Sequence, residues 1–280
     1  NPRLVVGSVN GYGSTGPYSE RPAFDFITQA MSGFMAVNGT LEGGPIRAAP
    51  PLTDLIAGLY TALGIVAALR VRDRDGHGQA VESSMMNGMI SMMAYLSAAQ
   101  LATGKTPPPT GNDHPIASPY GLFQASDGPV AVAASTTPIL RRFLETTGLS
   151  AMLEDTRFDT NAKRVERRAE VNAMIDDAMR HETQEAWIAR LNAAGVPCGR
   201  VQTLAEVFED PQVRDQEMVL AIDHPGHGTV KMTGFPIKFS DTPCVIRHPA
   251  PDLGADTDTV LAEAGYSSAE IAVLRDDGVI

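Results

Sequence analysis

Apolar and polar positions along this chain change period several times, and each change marks an element. RLVVGSV (3–9) is a short continuous apolar run of the kind found in a buried parallel strand. NGYGSTGPYSERP then reads as a loop, and Phe26, Ile27, Ala30, Met31 and Phe34 recur at helical spacing, predicting a helix over about 24–37. A second loop leads to PLTDLIAGLYTALGIVAAL (51–69), an apolar helix opened by one acidic residue, Asp54. DGHGQ turns into a short strand, AVESS, and a Met-rich helix is expected over about 85–102.

PPPTGNDHP (107–115) reads as a linker. Beyond it the apolar runs around Asp127-Gly128 predict a hairpin, and PILRRFLETTG, RVERRAEVNAMIDDAMR and QEAWIARLNAAG predict helices, with Gly148 and Gly195 as C-terminal caps. VPCGRV suggests a strand, TLAEVFEDPQVRDQ two short helices parted by Pro211, and residues 218–240 extended segments joined by Pro-Gly and His-Gly turns. Two helices close the chain, the last opened by a capping box of Ser267 and Glu270.

Composition narrows the class. With 280 residues, 43% of them apolar, a large core is affordable, and two domains or one with an insertion are expected. The net charge of −11 argues against a nucleic-acid partner, and KRVERR (163–168), the one dense basic cluster, reads as a solvated helix face. Cys198 and Cys244 are far apart and lack a partner motif, which points to a reducing, cytoplasmic setting with neither disulfide nor zinc. The apolar run at 52–69 falls short of a membrane span, so no membrane partner is expected. The chain starts Asn1-Pro2-Arg3, without an initiator methionine, as a fragment, a processed product or part of a split protein would.

An ionised carboxylate near apolar packing needs a physical reason, and Asp54 admits two. Asp54, or Thr53 beside it, caps a buried helix by accepting a backbone N–H; or Asp54 is held ionised as a nucleophile. Gly11, Gly13 and Gly16 match GxGxxG after a strand, but Pro17 and PYSERP stand where the helix should begin, which removes the dinucleotide reading. The same loop can still offer backbone N–H groups to an anion, with Tyr12 at its apex. Asp223, His224 and His227 lie on a turn rather than a helix face, so no metal is expected, and no GxSxG serine elbow occurs.

Five strings taken together resemble the class III CoA-transferase family, which includes formyl-CoA transferase, carnitine CoA-transferase and alpha-methylacyl-CoA racemase. They are NPRLVVGSVNGYGSTGPYSERPAFDFITQAMSG; PLTDLIAGLYTALGIVAAL with GHGQAVESSM; GNDHPIASPYGLFQASDG; AGVPCGRVQTLAEVFEDPQVRDQEMV; and GYSSAEIAVLRDDGVI. The resemblance implies that Asp54 is the nucleophile, forming a mixed anhydride and then an aspartyl-CoA thioester, and that Val9, Asn10, Gly11 and Tyr12 lie along coenzyme A or acyl-CoA. It also implies a Rossmann-like large domain (1–112 and 226–280, incomplete at its start), a smaller α+β domain (113–225), and an interlocked homodimer or a second polypeptide supplying the preceding part. The racemase branch has a histidine before the aspartate of a GHD motif, where this chain has Phe24, and a glutamate in the region of Ser135 to Thr137, where none occurs. Both departures favour CoA transfer between small carboxylic acids over racemisation; a non-catalytic remnant is the remaining alternative.

Overall fold

In a computed structural model describing residues 1–280, the chain forms two compact units, 1–201 and 202–280, each described on its own. The first begins with β1 (Val6–Asn10), α1 (Asp25–Met31), α2 (Phe34–Val37), the two-residue strands β2 (Gly39–Thr40) and β3 (Gly44–Pro45), α3 (Leu52–Asp75), β4 (Ala80–Ser84), α4 (Met85–Met92) and α5 (Tyr95–Thr103). β1 pairs in parallel with β4, in register Val6 to Ala80 through Asn10 to Ser84, with α3 in the crossover between them. This is the parallel strand the apolar run predicts, but it is not buried. Val6 and Val9 remain 49% and 48% exposed, because β1 has one strand neighbour, β4, and α3 packs only on the face that carries Gly7 and Val81. All other strand pairs are antiparallel.

Two expected helices of this stretch are each broken in two. Gly33, in the left-handed region at φ 85°, separates α1 from α2. The Met-rich helix is interrupted at Ala94, held at φ 44° and ψ −113°, so that α4 and α5 diverge there. α3 is longer than its apolar run suggests, 24 residues, ending at Gly76 in the left-handed conformation. By length and composition alone it could cross a membrane, which the expected shorter run could not. It packs against β1, β4, α1 and α4 through Thr53, Ile56, Ala57, Thr61 and Ala68, while Leu55, Leu59, Leu63 and Val66 stay exposed. The expected buried helix is therefore buried along one narrow stripe only.

The main core lies further along the first unit. β5 (Tyr120–Ala125), β6 (Gly128–Ala133), α6 (Thr137–Thr147), a 3₁₀ turn at Ser150–Leu153, α7 (Asn161–Glu166), α8 (Arg168–Met179), α9 (Gln184–Ala193) and β7 (Cys198–Arg200) follow in order. The predicted hairpin forms, its turn one residue earlier than the Asp-Gly pair, at Ser126-Asp127 with Gly128 opening β6, and the sheet order is β5-β6-β7. Alternate strand residues Phe123, Ala125, Val130 and Val132 meet Phe143, Leu144, Val171, Ile175 and Leu191 from the helices, the period-2 and period-3.6 faces joining in one core. The expected helix over RVERRAEVNAMIDDAMR is two, α7 and α8, joined at Arg167. Beside the junction, buried Arg164 donates to the carbonyls of Ser118 and Phe158, which ties the stretch just after the linker to the turn before α7.

The second unit holds α10 (Leu204–Glu209), α11 (Pro211–Asp215), β8 (Val219–His224), β9 (Gly228–Thr233), α12 (Thr257–Glu263) and α13 (Ser268–Asp276). The β8–β9 hairpin turns across residues 225–227, where the expected domain boundary lay. The capping box of Ser267 and Glu270 forms as predicted, and Thr203 with Glu206 makes a second one at α10.

Candidate active site

Asp54 stands in the first turn of α3 with its side chain exposed. Neither expected cap forms: the N-cap residue is Pro51, with no side-chain bond to the helix. The cap comes instead from α1. Asp25 Oδ1 accepts from the Thr53 backbone N–H at 2.9 Å and from Thr53 Oγ1 at 2.9 Å, while Asp25 Oδ2 accepts from Gln29 Nε2 at 2.7 Å. Thr28 Oγ1 lies 2.7 Å from Thr53 Oγ1, and Gln29 Oε1 accepts from the Ala48 N–H at 2.8 Å. Thr28, Gln29 and Thr53 are buried, so these bonds form where water does not compete for the donors. They tie α1, the loop before α3 and the first turn of α3 together.

That network leaves Asp54 free of hydrogen bonds within the protein. Its carboxyl is nonetheless raised above the ordinary aspartate value, first because surrounding protein thins the water that would solvate its anion, then because Asp25 adds negative charge nearby. The N-terminal end of a long helix acts in the opposite sense and favours the anion. The result is an accessible carboxylate that is more basic than usual.

From Asn10, the last residue of β1, Gly11 and Tyr12 lead into the Gly-rich loop, which is spatially linked to this network. Gly11 abuts Ala23 so closely that a Cβ at 11 would collide with the Ala23 methyl, and Ala23 lies two residues before Asp25. The Gly11 carbonyl also accepts from Met86 N–H at the start of α4. Val9 is exposed, and Asn10 is half-buried with its Oδ1 accepting from Gly13 N–H at 2.5 Å. Gly13, at φ 107°, is in a conformation that favours glycine. The expectation that this loop offers backbone N–H groups to an anion is narrowed: Gly13 N–H is held by Asn10, and Ser14 N–H donates to Glu82 Oε1 at 3.1 Å. Ser14, through its hydroxyl and its amide, holds the Glu82 carboxyl below its ordinary value. Tyr12 is not at an exposed apex; its ring is 8% exposed, edge-on to Tyr18, with its hydroxyl on Met31 Sδ at 3.2 Å. α1 begins only at Asp25, well past the glycines, in line with a loop that is no dinucleotide fingerprint.

Phe24, at the position where a racemase histidine would stand, is 80% exposed. In the second unit, the ring nitrogens of His224 face the Ala250 carbonyl at 2.8 Å and the Gly226 N–H at 3.1 Å. His227 Nε2 meets Asp252 Oδ1 at 2.8 Å, and Asp223 accepts from Thr229 Oγ1. His224, His227 and Asp252 converge closely enough to hold an ion, an arrangement that Asp252, distant in sequence, made invisible to spacing. The feature that sequence reasoning missed at the main site is Asp25 with Thr28, Gln29 and Thr53; an Asp and a Gln spaced i, i+4 on a helical stretch was its one visible trace.

The profile of CoA-transferase family III matches residues 1–257. The chain is 31% identical over 263 residues to the succinate–glutarate CoA-transferase of Agrobacterium fabrum, covering 94% of this chain and 66% of that protein. It is 33% identical over 241 residues to the acetyl-CoA:oxalate CoA-transferase of Acetobacter aceti, covering 86% and 61% respectively. The chain thus spans under two thirds of the length of these relatives. The crystal structure of a CAIB/BAIF family protein from Brucella suis superposes with a TM-score of 0.78 at 33% identity, covering 94% of this chain and 68% of that one.

Proposed function

The chain belongs to CoA-transferase family III, and from that premise we propose that it serves the transfer of coenzyme A between small carboxylic acids, with Asp54 as the attacking carboxylate. The observation that carries this reading is the contrast at the start of α3: Thr53 is clamped by Asp25, while Asp54 beside it is exposed and bonded to nothing. An acid in the first turn suits a helix N-terminus by charge, but the capping hydrogen bond, the other structural part open to Asp54, is absent.

The Asp54 carboxylate attacks the thioester carbonyl of the donor acyl-CoA; the C–S bond breaks, CoA thiolate leaves and a mixed anhydride forms. The thiolate attacks the aspartyl carbonyl, the donor acid departs as a carboxylate, and an aspartyl-CoA thioester results. The acceptor carboxylate attacks that thioester and expels the thiolate, which then takes the acceptor acyl group and frees Asp54. Each step passes through a tetrahedral oxyanion. The Gly13 and Ser14 amides are already engaged within the protein, and the stretch Val9, Asn10, Gly11 and Tyr12 is the part of the loop assigned to coenzyme A in this reading. The relatives named for succinate, glutarate and oxalate support dicarboxylates as the substrate class.

With ¹⁸O in the acceptor carboxylate, mass spectrometry of the peptide bearing Asp54 should find label there after turnover, and unlabelled Asp54 in an active preparation would count against the anhydride route. Asp54→Asn should lower transfer on the order of 10⁴-fold, as loss of a covalent nucleophile does. A second reading, that the site is completed by another copy or another polypeptide, draws on the exposed apolar side chains of β1 and α3. It predicts CoA binding only after that partner is added. A racemase would instead carry deuterium from heavy water into the α-position without any acceptor acid.

A further inference from the structure

Asp25 makes three hydrogen bonds as an acceptor, from Thr53 N–H, Thr53 Oγ1 and Gln29 Nε2, and it makes them next to a carboxylate that has none. Both oxygens of Asp25 are in use, Oδ1 by Thr53 and Oδ2 by the Gln29 amide, a pair of acceptors that only a carboxylate supplies. We propose that Asp25 is a positioning residue for the reaction: its carboxylate fixes the first turn of α3 so that Asp54 is aimed outward, and its negative charge keeps Asp54 a strong nucleophile. This rests on the reading of Asp54 as the attacking group and adds to it the residue that orients it and contributes to its basicity.

The charge argument depends on what else surrounds Asp54. α4 (MMNGMISM) and β1 (VGSVN) bring no charged side chain to α3. β4 brings Glu82, which is engaged with Ser14, and the preceding loop brings Arg47, whose guanidinium rests on the carbonyls of Ala48 and Ala49. Of the remaining charges of α3, all lie from Arg70 onward, at the far end of the helix. Loss of solvating water raises the Asp54 carboxyl most, and Asp25 is the neighbouring charge that adds to it in the same direction. A more basic carboxylate is a better nucleophile toward a thioester as long as it is still ionised at working pH, and the helix N-terminus works to keep it so. The buried donors from Thr53 and Gln29 are what hold two carboxylates in one neighbourhood without either rotating away.

The test reads Asp54 directly, without turnover. In the full 280-residue chain labelled at the aspartate Cγ, the Asp54 resonance is assigned by its loss in Asp54→Asn and followed through an acid titration. In the unsubstituted chain it should titrate above the ordinary aspartate value; a midpoint at or below that value overturns the proposal. In Asp25→Asn, which keeps an oxygen to accept from Thr53 but gives up the bond from Gln29 and removes the charge, the midpoint should move toward acid, and an unmoved midpoint in a folded variant overturns the proposal. Should Asp25→Asn fail to fold, Asp25→Ser offers a smaller uncharged acceptor at the same place and is read the same way. Transfer assays then separate the two claims. An acid-shifted Asp54 with slower transfer and an acid-shifted pH profile supports both; an acid-shifted Asp54 in a chain whose transfer survives Asp54→Asn keeps the electrostatic pairing and discards Asp54 as nucleophile. If the midpoint shifts while kcat and its pH profile stay fixed in an enzyme that needs Asp54, the catalytic role of Asp25 is refuted.

Discussion

At Asp54, reactivity and stability pull in opposite directions. A carboxyl whose value is higher in the folded than in the unfolded chain binds more protons when folded, so its ionisation lowers stability as pH rises through the window between the two values. Asp54→Asn should therefore melt higher than the parent at pH 7, with the advantage shrinking as pH falls toward the ordinary aspartate value and gone below it; calorimetry across pH 3 to 7 checks this, and a lower melting point at pH 7 contradicts it. Ala94 is a second residue under tension. At φ 44° and ψ −113° it occupies a region where only glycine is comfortable, a strain of about 1–3 kcal/mol. Ala94→Gly should raise unfolding free energy by about 1 kcal/mol after the extra entropy of glycine in the unfolded chain is counted, measurable by urea titration.

Among the elements, α3 shows how the same residue type plays opposite parts. A Cβ on Gly58 would meet nothing within 4 Å, whereas one on Gly64 would sit 2.5 Å from Val81 Cγ1. Gly58→Ala should stabilise by about 0.5–1 kcal/mol through helix entropy alone, while Gly64→Ala should destabilise by about 1–3 kcal/mol as β4 is pushed off the helix; equal shifts for the two would rule this packing out. Much of this level was legible in the sequence. Asp127-Gly128 marked its hairpin, Pro211 parted its two helices, and Ser267 with Glu270 announced the last one, because each signal acts over four residues or fewer. The breaks at Gly33, Ala94 and Arg167 were not legible: periodicity continues across them, and tertiary packing decides where the axis turns. The cap on α3 was hidden for a related reason, since Asp25 reaches Thr53 across 28 positions, beyond any local motif. Asp54 itself could be noticed from its place in an apolar run, but its two readings could be separated only once the side chain was seen to cap nothing.

For the whole molecule, the distribution of burial predicts an uneven resistance to opening. The dense core of Phe123, Val130, Phe143, Val171, Ile175 and Leu191 lies in β5, β6, α6, α8 and α9, and amides there should exchange most slowly, with β1 exchanging faster because its flank is exposed. Hydrogen-exchange mass spectrometry that found β1 the most protected segment would contradict this. Phe143→Ala, at 0% exposure, should cost about 3–5 kcal/mol. The site is thus set in the less densely packed stretch of the first unit and owes its order to polar bonds rather than to bulk. Those bonds have a consequence for anyone dividing the protein. Because the brace on α3 is lent by another helix, a polypeptide started at residue 39 would retain every atom of the 52–75 helix and of its reactive acid, yet the opening turn would fray and the acid would wander. What looks like a self-sufficient segment is half of a joint.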